Sequence, residues 1–154
     1  AMQYRVIDYI EDNRKSIDHY VKLIQAKPYV YERHYLPHDG RHANLATGKT
    51  IQEIVEGFGL RVEIVPQIGI DNGINAVRMA MPNVWIDENK CKEGIKALEY
   101  YHYETDKNGN RRNIPAHDWS SHGCDAFRYM AVAFKESVKH KPIKKAYVQH
   151  GWMG

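Results

Sequence analysis

The feature that most constrains this chain is the alternation of short strand-like segments with amphipathic helical segments. Residues 3–10, 29–36 and 62–65 are rich in β-branched and aromatic side chains, which is typical of strands. Apolar residues at helical spacing separate these segments, beginning with Ile17 and Val21. The order strand, helix, strand, helix predicts βαβ units, and therefore an α/β domain whose sheet is partly parallel and covered by helices.

Capping residues predict where several helices begin. Thr50 and Glu53 have the spacing of a capping box, and Gly59 follows the apolar stripe as a stop signal. Asp71 and Asp87 can each open a further helix. Residues 84–86 resemble a brief strand, residues 105–114 a turn between short strands, and a last long helix is expected from residue 119 or 120.

Composition indicates one domain with a core. The chain has 154 residues, of which 43% are hydrophobic and 27% charged. We assign residues 3–140 to a single domain and residues 141–154 to a basic C-terminal tail. No apolar run approaches the roughly 20 residues that cross a bilayer, so we expect a soluble, intracellular protein. Cys91 and Cys124 are expected to be reduced core thiols, because neither has metal-ligand spacing.

Net charge gives little information about a partner. The formal charge is only +3, although basic residues cluster near residues 107–112 and 135–145. These clusters suit phosphate contact and equally suit a solvated face. Sequence motifs, and not the net charge, must therefore indicate the function.

Two polar segments are candidate functional sites. A predicted strand ends just before His38 and Asp39, and ligands gather beyond the carboxyl ends of strands in α/β sheets. His122 and Asp125 are three residues apart at the start of the last helix, so they share a helix face, and Asp118 precedes them. Carboxylates from a strand end and a helix could hold Mg²⁺ or Mn²⁺ for phosphodiester hydrolysis.

Structural roles remain alternatives for the same residues. An aspartate after a strand also serves as a turn or cap residue, which applies to Asp39. Asp118 is equally suited to capping the last helix. A zinc site built from the nine histidines has no support from an H-E-x-x-H or Cys/His spacing.

Two motifs resemble a known protein family. Residues 35–39, YLPHD, look like the strand-end motif of the nuclease domains of tailed-phage large terminases. Residues 117–129, HDWSSHGCDAFRY, look like the closing helix motif of the same domains. The order and spacing of the intervening segments also resemble the family, so the likeness extends over residues 3–135.

The resemblance implies a fold, an activity and partners. The fold would be a ribonuclease H-like mixed sheet flanked by helices. The activity would be Mg²⁺- or Mn²⁺-dependent cleavage of concatemeric double-stranded phage DNA during genome packaging, in the cytoplasm of the bacterial host. By position, Asp39 and Asp125 would be catalytic, metal-binding carboxylates, with His38, Asp118 and His122 near the site. An upstream ATPase domain, the small terminase and the portal would be partners.

The chain departs from this family at the first strand. The family's third carboxylate lies on an Asp-x-Gly strand, and no such segment precedes Tyr4. Asp8 lies on the strand that resembles the family's second, so it is no substitute. We therefore expect weak or absent cleavage by this fragment, because two carboxylates are few for a cation that favours about six ligands. Absence of that strand would also expose a sheet edge, which predicts a homodimer.

A second hypothesis is a non-catalytic prophage remnant that acts as a binding or interaction module. It predicts the same architecture as the nuclease hypothesis and differs only in chemistry. No G-x-x-x-x-G-K-[ST] motif occurs, so this chain does not include the family's ATP-binding loop.

Overall fold

The computed structural model describes the backbone of residues 3–139 and the side chains of residues 3–134. The predicted basic tail at residues 141–154 and the predicted domain end at residue 140 lie outside this range. The described residues form five α-helices, six short strands and two 3₁₀ turns. In chain order these are β1 (Tyr4–Val6), α1 (Ile17–Gln25), β2 (His34–Leu36), a 3₁₀ turn (His38–Arg41), α2 (Ile51–Gly57), β3 (Val62–Ile64), α3 (Ile70–Ala80), a 3₁₀ turn (Met81–Asn83), β4 (Val84–Ile86), α4 (Lys92–Tyr100), β5 (Tyr103–Thr105), β6 (Arg111–Pro115) and α5 (Ser121–Lys139).

The described strands form three two-stranded sheets. β1 pairs with β4 in parallel, with Tyr4 opposite Val84. β2 pairs with β3 in parallel, with His34 opposite Val62. β5 and β6 form an antiparallel hairpin. The predicted α/β class and parallel pairing are confirmed, whereas the described residues do not show a ribonuclease H-like strand order.

The strands are shorter than the sequence predicts. Their shortness is one reason why the described strands do not form a ribonuclease H-like sheet. Of the predicted strand at residues 3–10, only Tyr4–Val6 joins a ladder. Two residues later, the Asp8 carboxylate accepts a hydrogen bond from the Tyr9 backbone N–H and pairs with Lys27 at 2.8 Å. Side-chain hydrogen bonding therefore replaces strand pairing beyond β1.

Most helix boundaries agree with the sequence patterns, but α4 begins at Lys92 and not directly after Asp87, whose carboxylate accepts from Asn89 N and Lys90 N in the preceding turn. The capping box is present, because Thr50 Oγ1 accepts from Glu53 N at 3.0 Å and the Glu53 carboxylate accepts from Thr50 N at 2.8 Å. Gly59 follows α2 with φ of 84°, a backbone conformation that favours glycine. α3 begins one residue before the expected Asp71, and α5 begins at Ser121, one residue after the later of the two expected starts, residues 119 and 120.

The core lies between the end of β3, α3 and α5. It contains Val65, Ala76, Ala131, Val132 and Ala133. Small side chains on both helices allow their backbones to approach closely. The two cysteines are free thiols in buried positions, as expected. Within residues 3–139, no helix is both long and apolar enough to cross a membrane.

Tyr9 joins the segment after β1 to two helices. Its ring lies over Gly94 in α4 and its hydroxyl lies over Gly123 in α5. A Cβ at Gly94 would come within 2.9 Å of the Tyr9 ring carbon Cδ2. Burial, together with a hydrogen bond from the Tyr9 hydroxyl to Glu11, raises the pKa of Tyr9. These two glycines therefore provide the space that an aromatic side chain occupies.

We predict that Gly94→Ala destabilises the protein despite the helix preference of alanine. Relief of glycine's backbone entropy would stabilise a helix by roughly 0.5–1 kcal/mol. Collision with the Tyr9 ring costs about 1–3 kcal/mol, so the free energy of unfolding should fall. Urea denaturation measures it. Gly57→Ala is the matched control, because a Cβ there would meet no atom within 4 Å among the described residues outside its own stretch of helix. Equal stability of Gly94→Ala and the wild type would contradict the Tyr9 packing.

Candidate functional site

The strand-end motif forms a tight turn after β2. Pro37, with φ of −62°, precedes the 3₁₀ turn, and Gly40 N donates to Pro37 O at 2.9 Å. Gly40 is buried, and a Cβ there would lie 3.2 Å from Leu36 Cβ. This close return of the chain fixes the positions of His38 and Asp39. As predicted, β2 presents both residues just beyond its carboxyl end.

His38 and Asp39 have different surroundings. Asp39 is exposed to solvent, and its backbone oxygen accepts from His42 N at 2.9 Å. His38 is partly buried, and its Nδ1 is buried with no hydrogen-bond partner among the described residues. A buried polar atom without a partner is energetically unfavourable and is uncommon in folded proteins.

The closing motif begins with a turn built around Asp118. Its Oδ1 accepts from Ser120 N at 2.9 Å and from Ser120 Oγ at 2.6 Å. These hydrogen bonds, that from the hydroxyl foremost, lower the pKa of Asp118. Ser121 Oγ donates to Asp118 O at 2.8 Å. The alternative helix-capping role of Asp118 is therefore the one these contacts support.

Asp125 is part of an ion pair on α5. Its Oδ1 lies 3.0 Å from Arg128 Nη2, one helical turn away. The Asp125 side chain is 39% exposed and that of Arg128 only 15%. Arg128 crosses α3 at Gly73, where a Cβ would come within 2.6 Å of Arg128 Cγ. The glycine therefore leaves room for the arginine stem.

The two motifs meet at one pocket. It has a volume of about 90 Å³ and is enclosed by the strand-end turn, the segment before α3, the first turn of α3 and α5. The strand-end motif contributes His38, and the closing motif contributes Arg128 and Tyr129. Neither Asp39 nor Asp125 is among its lining residues.

His122 lies on a different cleft. It is exposed, and its ring contacts that of His117 edge to face at 5.7 Å between centroids. The cleft also contains Trp119 and the acidic and basic side chains of Glu11 and Lys92, and it shares no lining residue with the His38 pocket. Of the predicted site residues, His38 and His122 thus line different surfaces, and Asp39, Asp118 and Asp125 line neither of them.

Asp8 has a structural role, and we did not count it among the candidate catalytic carboxylates. Its carboxylate pairs with Lys27 at 2.8 Å and accepts from the Tyr29 hydroxyl at 3.1 Å. The contact with Lys27 is the main cause of its lowered pKa. Lys90 Nζ donates to the same Tyr29 hydroxyl at 3.0 Å. This network connects the segment after β1, the end of α1 and the segment before α4.

The described residues do not by themselves form a metal centre. Asp39 and Asp125 have the oxygen donors that Mg²⁺ and Mn²⁺ prefer. Among the residues that the structure describes, however, no group of three or more His, Cys, Asp or Glu side chains is arranged to hold a metal ion. Asp125 is also engaged by Arg128. Two carboxylates are an incomplete donor set.

Comparison with known proteins finds no match. No protein-family model matches the chain, and neither does any curated protein or solved structure. The family resemblance of the two motifs therefore stays a prediction.

Sequence reasoning missed Arg128 and Gly73 as parts of the site. The signal for Arg128 was its position three residues after Asp125, which is the spacing of a helical ion pair. The signal for Gly73 was an isolated glycine in a helical pattern, which often marks close packing. The unpartnered Nδ1 of His38 had no sequence signal.

We predict that Asp118→Ala lowers the melting temperature at pH 7 and that the difference from the wild type shrinks in acid. Because the folded pKa of Asp118 is lowered, its stabilisation is complete above the unfolded pKa of about 3.9. It is lost as the pH falls through the lowered pKa. Melting curves between pH 7 and pH 3 measure this. Asp118→Asn is the control, because its neutral side chain can still accept both hydrogen bonds. A difference independent of pH would contradict the charged cap.

Proposed function

We propose that this chain is a nuclease domain of the large-terminase type, a divalent-metal-dependent endonuclease acting on double-stranded DNA. The observation that carries the proposal is the meeting of its two motifs, residues 35–39 and 117–129. They are far apart in sequence, yet His38 and Arg128 line one pocket. Convergence of distant polar residues on one cleft is typical of functional sites in α/β folds.

Each site residue has a role in this proposal. Asp39 and Asp125 would supply carboxylate oxygens to a divalent ion. Such an ion would supply the activation of water and the stabilisation of the leaving oxygen in phosphodiester hydrolysis. His38 and His122 are candidates for positioning water or exchanging a proton. Asp118 holds the start of α5 and so the direction of Asp125.

The proposal includes a ribonuclease H-like sheet. Its support is the contact of both parallel pairs with one side chain of α5, Phe134. The ring centroid of Tyr4 in β1 lies 5.3 Å from that of Phe134, and that of Tyr35 in β2 lies 6.2 Å from it. Two strand pairs that rest on the same helix are compatible with one common sheet. A further strand between β1 and β2 would hydrogen-bond to both.

The cellular setting follows from the same proposal. The substrate would be concatemeric phage DNA in the cytoplasm of the bacterial host. The partners would be an ATPase domain, the small terminase and the portal. These assignments depend on the family resemblance of the two motifs.

DNA cleavage tests the proposal directly. We expect a protein extended at its N-terminus by an Asp-x-Gly strand to nick supercoiled plasmid DNA in Mn²⁺ and not in EDTA. Asp39→Ala and Asp125→Asn should each lower the rate of nicking by about 100-fold or more. Loss of a metal ligand should lower activity more than loss of a residue that only hydrogen-bonds to a ligand does. Agarose gels measure the rate of nicking.

Glu99→Gln is the matched control, because it removes an exposed carboxylate on α4 outside both motifs. Its cleavage rate should equal that of the wild type. The nuclease proposal fails if the extended protein shows no Mn²⁺-dependent cleavage. It also fails if Asp39→Ala leaves that cleavage intact.

A non-catalytic binding module is the second candidate function. The Asp125–Arg128 ion pair favours it, because the arginine engages a carboxylate that a nuclease would give to a metal. The same assay separates the two functions. Retention of DNA in a filter-binding experiment, without cleavage by the extended protein, would support the binding module.

We further propose that the protein, when no Asp-x-Gly strand is added to it, forms a homodimer through the β1–β4 pair. Within the described residues, β1 and β4 have only each other as strand partners. Ile7 and Trp85 at this pair are 51% and 52% exposed, and an unpaired edge beside apolar side chains favours association.

Sedimentation velocity tests this proposal, with a dimer expected for the wild type and a monomer for Trp85→Arg. Val30→Arg is the control, since Val30 is fully exposed elsewhere and this variant should remain dimeric. A monomeric wild type would contradict the homodimer.

A further inference from the structure

A second pocket, which we call the Arg78 pocket, lies between α3, the end of α4, α5 and the β5–β6 hairpin. Its volume is about 270 Å³, and among the described residues it shares only Arg128 with the His38 pocket. A cavity of about 150 Å³ accepts benzene, and pockets for drug-sized ligands begin near about 300 Å³. The volume therefore suits an organic ligand of one ring with a short side chain.

The wall of the Arg78 pocket is mostly apolar. Ile74 and Val77 of α3 face it together with Leu98 of α4 and Phe127 of α5. Met81 also lines the pocket and is 41% exposed, so it lies where the pocket opens to solvent. An apolar ligand surface would be removed from water in this space.

The charged residues that line this pocket are cationic. They include Arg78 and Arg128, and no described lining residue is Asp or Glu. The charge of Arg128 is balanced, because its guanidinium pairs with Asp125 at 3.0 Å. Arg78 is exposed and has no hydrogen-bond or ion-pair partner in the part of the chain that the structure describes. Its positive charge is therefore available to an anion at the opening.

Tyr101 adds a hydrogen-bonding group beside the same pocket. Its hydroxyl has no hydrogen-bond partner within residues 3–134, and it is not among the enclosed atoms there that lack one, so a ligand can reach it. Arg128 and Cys124, which also line the pocket, are electrostatic neighbours of this hydroxyl. Burial, with the nearby charge of Asp125, raises the pKa of Tyr101. The hydroxyl therefore keeps its proton and can donate to an anion.

An apolar pocket beside an unpaired arginine favours a ligand that is both apolar and anionic. We propose that the Arg78 pocket binds a small carboxylate with an aromatic ring, whose ring lies among the apolar side chains and whose carboxylate pairs with Arg78. A guanidinium matches the geometry of a carboxylate with two parallel hydrogen bonds. The rings of Tyr103 and Phe127 favour an aromatic body, since aromatic pairs gain energy beyond their buried area. This binding does not depend on the proposed nuclease function.

Titration of the whole chain with 3-phenylpropionate tests the proposal. Its neutral amide, 3-phenylpropanamide, is the matched ligand without the charge. Nuclear magnetic resonance follows the methyl signals of Ile74 and Val77, which both line the pocket. We expect saturable shifts with both ligands and about fivefold tighter binding of the carboxylate. This factor is modest because water weakens an ion pair at an exposed arginine.

Two variants probe the polar groups. Arg78→Gln should abolish the preference for the carboxylate and leave the binding of the amide unchanged. Arg61→Gln is its control, because it removes an exposed arginine that does not line the pocket. Tyr101→Phe removes only the hydroxyl and should weaken binding of the carboxylate about twofold to threefold. Tyr100→Phe, at a neighbouring tyrosine that does not line the pocket, should bind like the wild type.

A third variant tests the location of the ligand. Met81→Trp should fill the opening of the pocket and weaken binding of both ligands at least tenfold. Met79→Trp is the matched control, because Met79 is 71% exposed, lies two residues earlier and does not line the pocket. Circular dichroism confirms that each variant is folded. If Met81→Trp fails to fold, Arg78→Gln and the two ligands decide the question.

The outcomes separate the Arg78 pocket from the nuclease. A preference for the carboxylate that Arg78→Gln abolishes supports the pocket, even if Mn²⁺-dependent cleavage by the extended protein is found to be absent. The proposal is overturned if neither ligand gives saturable shifts, or if the amide binds the wild type as tightly as the carboxylate does. It is also overturned if a folded Met81→Trp variant binds both ligands like the wild type.

Discussion

The passage of the Arg128 stem over Gly73 sets the relationship between α3 and α5, and the rest of the structure depends on it. The absence of a Cβ at Gly73 lets a long charged side chain lie between two helices whose facing residues are otherwise small. The helices can therefore pack closely while Arg128 lines the His38 pocket and its guanidinium pairs with Asp125. The helix packing and the Asp125–Arg128 ion pair are coupled, because a change in the packing at Gly73 or in the ion pair would move the guanidinium of Arg128.

Several elements of the fold were predictable because their signals are local. The Thr50–Glu53 capping box specifies the start of α2 through two hydrogen bonds within one turn. The approximate start of α5 was likewise predictable from polar capping residues close to it in sequence. The extent of β1 was not predictable, because composition does not reveal where ladder pairing with the distant β4 stops. The division into three small sheets likewise depends on pairing between distant segments.

The candidate site was predictable in its motifs but not in its geometry. His38 does lie at a strand end, and Asp125 does lie on the last helix. Helical spacing alone suggested that His122 and Asp125 address one point. The structure instead pairs Asp125 with Arg128, while His122 lines the cleft that contains Trp119. Which of several neighbours a side chain contacts depends on rotamers and packing, and a sequence pattern does not contain this information.

The parallel register of β1 with β4 has a consequence for the order in which the chain can fold. Tyr4 is opposite Val84, so the first strand finds its ladder partner only after more than half of the sequence has been synthesised. β2 and β3 are separated by a shorter loop and can close earlier. Non-local pairing slows folding because the entropy of closing the loop is lost before the contacts form. On the ribosome, the nascent β1 segment with its exposed Ile7 would therefore remain open to chaperones for longer than any other strand in the described residues.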